Sequence, residues 1–128
     1  MRLHLRRVES LIHEIIGAVY EVSNTLGAGF LEKVYERALA KELRARGLSV
    51  ETQVSFSVNY KGDCVGEYFA DLLVEGQIVV ELKCVDNFTN EHLAQCINYL
   101  KACQRPMALL VNFQHPKAEW KRVVYSRA

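Results

Sequence analysis

The stretch YFADLLVEGQIVVELKC, Tyr68 to Cys84, constrains this chain more than any other. It reads as two apolar strands joined at Glu75-Gly76, and runs this rich in Phe, Leu, Ile and Val are those a fold covers. Asp71, Glu81 and Lys83 stand inside the same runs. A covered carboxylate is costly unless it is paired, hydrogen-bonded or bound to a cation. Whatever fold forms must therefore bring partners to these groups.

Register decides whether the two acids meet. Glu81 and Lys83 are two apart on a strand and share a face, while Ile78, Val80 and Leu82 take the other. A two-residue loop at Glu75-Gly76 would pair Val74 with Gln77, and hence Asp71 with Val80. That register sends Asp71 and Glu81 to opposite sides of the sheet. A three-residue loop or a bulge brings them together, with Gly76 in the left-handed position such a loop wants, and we expect that geometry. Two converging carboxylates and a backbone carbonyl suit Mg²⁺, and a lysine beside them could orient a water or offset charge on a phosphorus-centred transition state. A cross-strand salt bridge accounts for the same residues without chemistry, and the residues alone leave both readings open.

Around this stretch the periodicities place the other elements. Val8, Leu11, Ile12, Ile15, Ile16, Val19, Val22 and Leu26 repeat as one face of a helix that ends at Gly27. A second helix, with Leu31, Val34, Ala38 and Leu39 inward, stops near Gly47. From Val50 the period becomes two: Val54, Phe56, Val58 and Tyr60 alternate with polar residues, as in a strand with one wet face. Lys61-Gly62-Asp63 forms a turn, Val65 to Val74 a second strand, and Ile78 to Cys84 a third. Thr89 or Asn90 caps a helix running to about Cys103, with Leu93, Cys96, Ile97 and Leu100 inward. Pro106 stops it, Met107 to Phe113 is a buried strand, and Lys121 to Tyr125 an edge strand. The expectation is one domain over residues 1–128, of α/β class and order α-α-β-β-β-α-β-β. At 128 residues, half of them apolar, the chain suffices for one core.

Charge and cysteine usage exclude several classes. Apolar runs fall far short of the roughly 18 residues of a membrane span, so no membrane association is expected. The chain opens with no charged-then-apolar leader, and a cytoplasmic protein is expected. A net charge of +1 provides no global attraction for a polyanion. Basic residues gather locally in Arg2, Arg6 and Arg7; Lys41, Arg44 and Arg46; Lys101 and Arg105; and Lys117, Lys121 and Arg122. Such groups usually decorate helical faces, and they hold phosphates only if they flank the acids. Cys64, Cys84, Cys96 and Cys103 lack metal-ligand spacing and read as buried free thiols. His4, His13 and His115 read as surface groups.

The order Asp71, then Glu81-Leu82-Lys83, resembles the motif of the PD-(D/E)xK nuclease superfamily, with Ala70 where its name has proline. GFLEKVY, Gly29 to Tyr35, is similar to the signature of the small bacterial GxxExxY proteins, a branch of that superfamily. QCINY, Gln95 to Tyr99, looks like the QxxxY helix of the RecB-like nucleases. The resemblance implies a restriction-endonuclease-like core, a mixed central β-sheet flanked by helices. It further implies a phosphodiester hydrolase that uses Mg²⁺, with Mn²⁺ able to substitute, and acts on nucleic acid, with DNA the expected substrate. Asp71 and Glu81 become metal ligands, Leu82 lends its carbonyl, Glu32 is an extra helical acid in direct or indirect contact with the metal, and Lys83 activates water. Gln95 and Tyr99 brace the site or touch the substrate backbone.

Rival roles stand beside these. With Gly29 opening its helix, Glu32 falls where the helix dipole favours a carboxylate. Tyr35 reads as a packed aromatic with a tethered hydroxyl. His92, Gln95 and Tyr99 form one polar stripe, and His92 is not expected to be a ligand. An accessory module that keeps the nuclease fold without cutting is the alternative function. A homodimer that cuts both strands, pairing through the N-terminal helix, is also compatible with the sequence.

Overall fold

A computed structural model describes residues 2–126 and their side chains from Arg7 onward; the side chains of Arg2, His4 and Arg6 lie outside the described residues. Two helices, α1 (Arg2–Leu26) and α2 (Glu32–Ala45), precede three strands, β1 (Val50–Tyr60), β2 (Asp63–Val74) and β3 (Ile78–Lys83). Helix α3 (Asn90–Cys103) then leads to β4 (Met107–Asn112) and β5 (Glu119–Val124). The five strands lie in the order β1-β2-β3-β4-β5. Only β3 and β4, the pair joined through α3, are parallel. The class and element order follow the expectation from periodicity. Among the described residues no helix is long and apolar enough to cross a membrane.

Each face of the sheet has its own core. Ile12, Ile15 and Val19 of α1 and Tyr35, Leu39 and Leu43 of α2 pack on Leu72, Val74, Ile78, Val80, Leu82, Leu109 and Val111. Cys96 and Leu100 of α3 pack on Ala70, Leu73, Val79, Ala108, Leu110 and Val123. Covered from both sides, β3 is buried along its length except at Lys83, as a run without polar alternation requires.

Two loops carry the geometry the site depends on. Val74 pairs with Ile78, so three residues, Glu75 to Gln77, close the β2–β3 hairpin. Glu75 (φ 53°) and Gly76 (φ 63°) are both left-handed. Glu75 tolerates this because its carboxylate accepts the Ser49 N–H at 2.6 Å and its own N–H donates to the Ser49 carbonyl at 2.8 Å. The α1–α2 loop turns at Gly27 (φ 71°), and the Tyr35 hydroxyl ties it down, donating to the Gly27 carbonyl at 2.6 Å and accepting the Phe30 N–H at 3.2 Å. Tyr35 is fully buried, as expected, and stacks on Phe113 with centroids 4.7 Å apart.

Several inward assignments are corrected. Leu31 and Val34 are 79% and 37% exposed. Helix α2 starts at Glu32, not near Gly29, so Leu31 is an extended N-cap residue and the inward stripe falls on Tyr35, Leu39, Ala40 and Leu43. Tyr60 is exposed at the tip of the β1–β2 hairpin, where no helix reaches it. All four cysteines are free, but Cys64 is exposed and Cys84 and Cys103 are only half-buried.

Candidate active site

The site lies where β2 and β3 part. Their pairing covers only Leu72 to Val74 against Ile78 to Val80. Continued by one residue, that register sets Asp71 opposite Glu81, the outcome a three-residue loop was expected to produce. Past this point the carboxylate of Asp71 takes over the role of a neighbouring strand: Oδ2 accepts the Leu82 N–H at 2.8 Å. The Asp71 N–H in turn points at Glu81 Oε2 at 3.5 Å, a long contact at the limit of a hydrogen bond.

Asp71 has a second irregularity behind it. Thr52 pairs with Leu72 and Val54 with Ala70, while Gln53 and Asp71 between them are skipped. Gln53 is left-handed at φ 51°. Ala70 belongs to the core under α3, whereas Leu72 belongs to the core under α1 and α2. A regular strand would put both on one side. The alternation therefore slips at Asp71, which frees its carboxylate to sit between the two strands.

Glu81 is 5% exposed and has no ion-pair partner among the described residues. Its carboxyl is pushed up to about 9, first by burial and then by the negative charge of Asp71; Lys83 opposes this only in part. In the absence of a cation the acid therefore holds a proton at neutral pH. Glu32, the first residue of α2, is also raised, by lost hydration and then by Asp71, again with Lys83 opposing. Burial and the charges of Glu81 and Asp71 push the Tyr99 hydroxyl upward.

On the α3 side the predicted residues form a chain. Lys83 Nζ donates to Gln95 Oε1 at 3.0 Å, and Gln95 Nε2 donates to the Tyr99 hydroxyl at 3.0 Å. The ring of Tyr99 meets Tyr68 edge-on at 5.7 Å. His92 stands off from this chain: its Nδ1 accepts the Thr89 N–H, closing a capping box at the start of α3. In this structure its ring serves as a helix cap.

Helix α2 closes the other side. Glu32, Lys33, Glu36, Gln53, Asp71 and Leu82 line an open cleft of about 210 Å³. Glu36, 6% exposed, accepts from Lys33 Nζ at 2.8 Å and from Gln53 Nε2 at 2.6 Å. Gln53 Nε2 also reaches Asp71 Oδ1 at 3.3 Å. Periodicity could have flagged Glu36, one turn after Glu32 on the inward stripe. Gln53 carried no local signal, since its partners are 17 and 18 positions away. Buried Asn112 was also missed; its amide bonds both backbone groups of Val85 and fixes the chain leaving β3.

Among the described basic residues, three are engaged away from the acids. Arg46 is paired with Glu14 and Glu42, Arg122 with Glu9, and Arg44 donates to the Val50 carbonyl. His115 is not a plain surface group either, since its ring bonds the Asp86 carbonyl at 2.8 Å. Asp71, Glu81, Glu32 and Lys83 take part in no ion pair among the described residues, so the salt-bridge account of the acids fails. The acids offer hard oxygen donors, the chemistry a divalent metal accepts. Among the described residues no three His, Cys, Asp or Glu groups stand close enough together to hold one by themselves. Carbonyl and water ligands would have to complete the shell, as Mg²⁺ accepts.

A mixed five-stranded sheet with two helices on one face and one on the other defines a restriction-endonuclease-like α/β fold. The crystal structure of SSO0001 superposes with a TM-score of 0.56 at 19% identity, over 75% of this chain and 50% of that one. An alkaline exonuclease (LHK-Exo) from Laribacter hongkongensis gives 0.55 at 14% identity, over 73% and 56%. The same exonuclease in complex with dAMP gives 0.55 at 16% identity, over 73% and 55%. The chain thus spans about half the length of these structures. No curated protein matches it. The chain belongs to the PD-(D/E)XK nuclease superfamily, whose profile matches residues 9–123. Nucleases of this superfamily generally use divalent metals.

Proposed function

We propose that the protein is a metal-dependent nuclease that hydrolyses phosphodiester bonds in DNA, of the GxxExxY branch and with a QxxxY helix. The observation that carries this reading is the pair Asp71 and Glu81, which meet at the β2–β3 split without a basic partner. Asp71, Glu81, the Leu82 carbonyl and Glu32 would hold Mg²⁺, or Mn²⁺ in its place. Bound there, the cation would supply an acidified water and stabilise charge on the phosphoryl group. Glu81 must release its proton to become a ligand, so cation affinity rises with pH up to about 9. Lys83, with one ammonium hydrogen committed to Gln95, keeps two donors for a water or a non-bridging phosphoryl oxygen. Gln95 aims that ammonium group, and Tyr99 anchors Gln95.

Purified protein should cut DNA in the presence of Mg²⁺ or Mn²⁺. Lys83→Ala should slow cutting by roughly 10²- to 10⁴-fold, the usual size of a lost proton-transfer or charge-stabilising group, and Asp71→Ala should abolish it. Cutting that survives both substitutions would refute the assignment. Metal and DNA binding without cutting, on single-stranded, duplex and branched substrates alike, would instead support the accessory-module reading.

A further inference from the structure

We propose that Gln53 is a positioning residue: a latch that holds Asp71 in its working orientation by tying it to Glu36 on α2. As a statement about the site's chemistry, this rests on the nuclease reading above.

Residue choice is the first argument. Gln53 sits mid-strand at φ 51° and outside the β1–β2 ladder. Glycine occupies such a conformation freely, whereas an L side chain occupies it at a cost. Glycine would also leave the neighbouring pairs Thr52–Leu72 and Val54–Ala70 intact. A strained non-glycine residue beside a functional cluster points to a use for its side chain.

The contacts show what that use is. Gln53 lies on the surface, where an amide is ordinarily solvated. Its Nε2 instead donates to two carboxylates from different elements, Glu36 Oε1 at 2.6 Å and Asp71 Oδ1 at 3.3 Å. Glu36 is itself fixed, buried on α2 and held through its other oxygen by Lys33. Asp71 is thereby gripped from two sides, Oδ2 by the Leu82 N–H and Oδ1 by the amide. A neutral donor can bridge the two carboxylates without cancelling the negative charge that a cation needs. A lysine in that place would supply the cation's charge itself.

Gln53→Gly separates backbone from amide, because it keeps the left-handed turn and deletes only the side chain. The variant should melt no lower than wild type. Mn²⁺ affinity by calorimetry should fall about tenfold or more, as for partners that orient metal ligands. On DNA, kcat should fall while KM stays within about twofold. In metal-free protein the Asp71 side-chain carboxyl NMR signal should move. Wild-type affinity, kcat and carboxyl signal in a folded Gln53→Gly protein would overturn the proposal. If wild type neither binds Mn²⁺ nor cuts, the nuclease reading fails on its own. The NMR comparison then still decides the latch, since a shifted Asp71 signal sustains it and an unshifted one overturns it.

Discussion

The two ends of β3, both largely buried, are built differently. Val79 and Val80 are paired with β2 on one side and with β4 on the other. Glu81, Leu82 and Lys83 pair with β4 alone. At the first end, ladder bonds satisfy the backbone and apolar side chains fill both cores. At the second, a side-chain carboxylate stands in for the missing strand, and the polar groups it gathers have no ion-pair partners. A sheet thus gathers polar groups inside its own core by separating two strands, not by exposing them.

Three experiments test this contrast, in order of decreasing effect. Leu82→Ala removes a fully buried side chain from the core under α1 and α2 and should cost about 2–5 kcal/mol in chemical denaturation. Cutting per folded molecule should persist below the lowered melting point, because only the backbone of Leu82, which the substitution keeps, is assigned to the site. Lost activity at full folding would show that the two ends are not separable.

Asp71→Ala leaves the Leu82 N–H without its acceptor and should destabilise the fold by about 1–3 kcal/mol. Asp71→Asn retains an acceptor at the same place and should stay near wild-type stability while losing cation binding. Equal destabilisation by both would mean that the carboxylate does not replace a strand.

Counted per pH unit, Glu81 sets the smallest step, a slope with pH. Its folded-state value of about 9 lies above the ordinary 4.5, so between those limits the native chain keeps a proton that the unfolded chain has released. Metal-free stability should then fall as pH rises through that window, by at most about 1.4 kcal/mol per pH unit, and level off on either side. Glu81→Gln should flatten the slope. A wild-type curve that rises over the same range would contradict the crowding of the two acids.

These contrasts also show what could be read from the letters alone. That Asp71 would come opposite Glu81 was legible because hairpin loop length fixes register, and the Glu75-Gly76 turn admitted few lengths. Thr89 as a cap, Gly27 as a helix terminator and the Gln95–Tyr99 spacing were legible because each is a local rule. The rotation of α2 was not: Leu31 is apolar, but tethering of the preceding loop moves the helix start to Glu32. Glu36 and Gln53 were illegible as a pair, because only tertiary packing brings residues 17 positions apart into contact.

Tyr35 acts as a stay rope. Its hydroxyl moors the loop before α2, and that mooring determines which residue opens the helix and faces the acids. Tyr35 thus stands a lever arm away from the acids, and Glu32 is aimed at them from a distance. Anyone transplanting the Asp71–Glu81 pair onto another scaffold would have to carry the mooring with it, or Glu32 would swing away from the two acids.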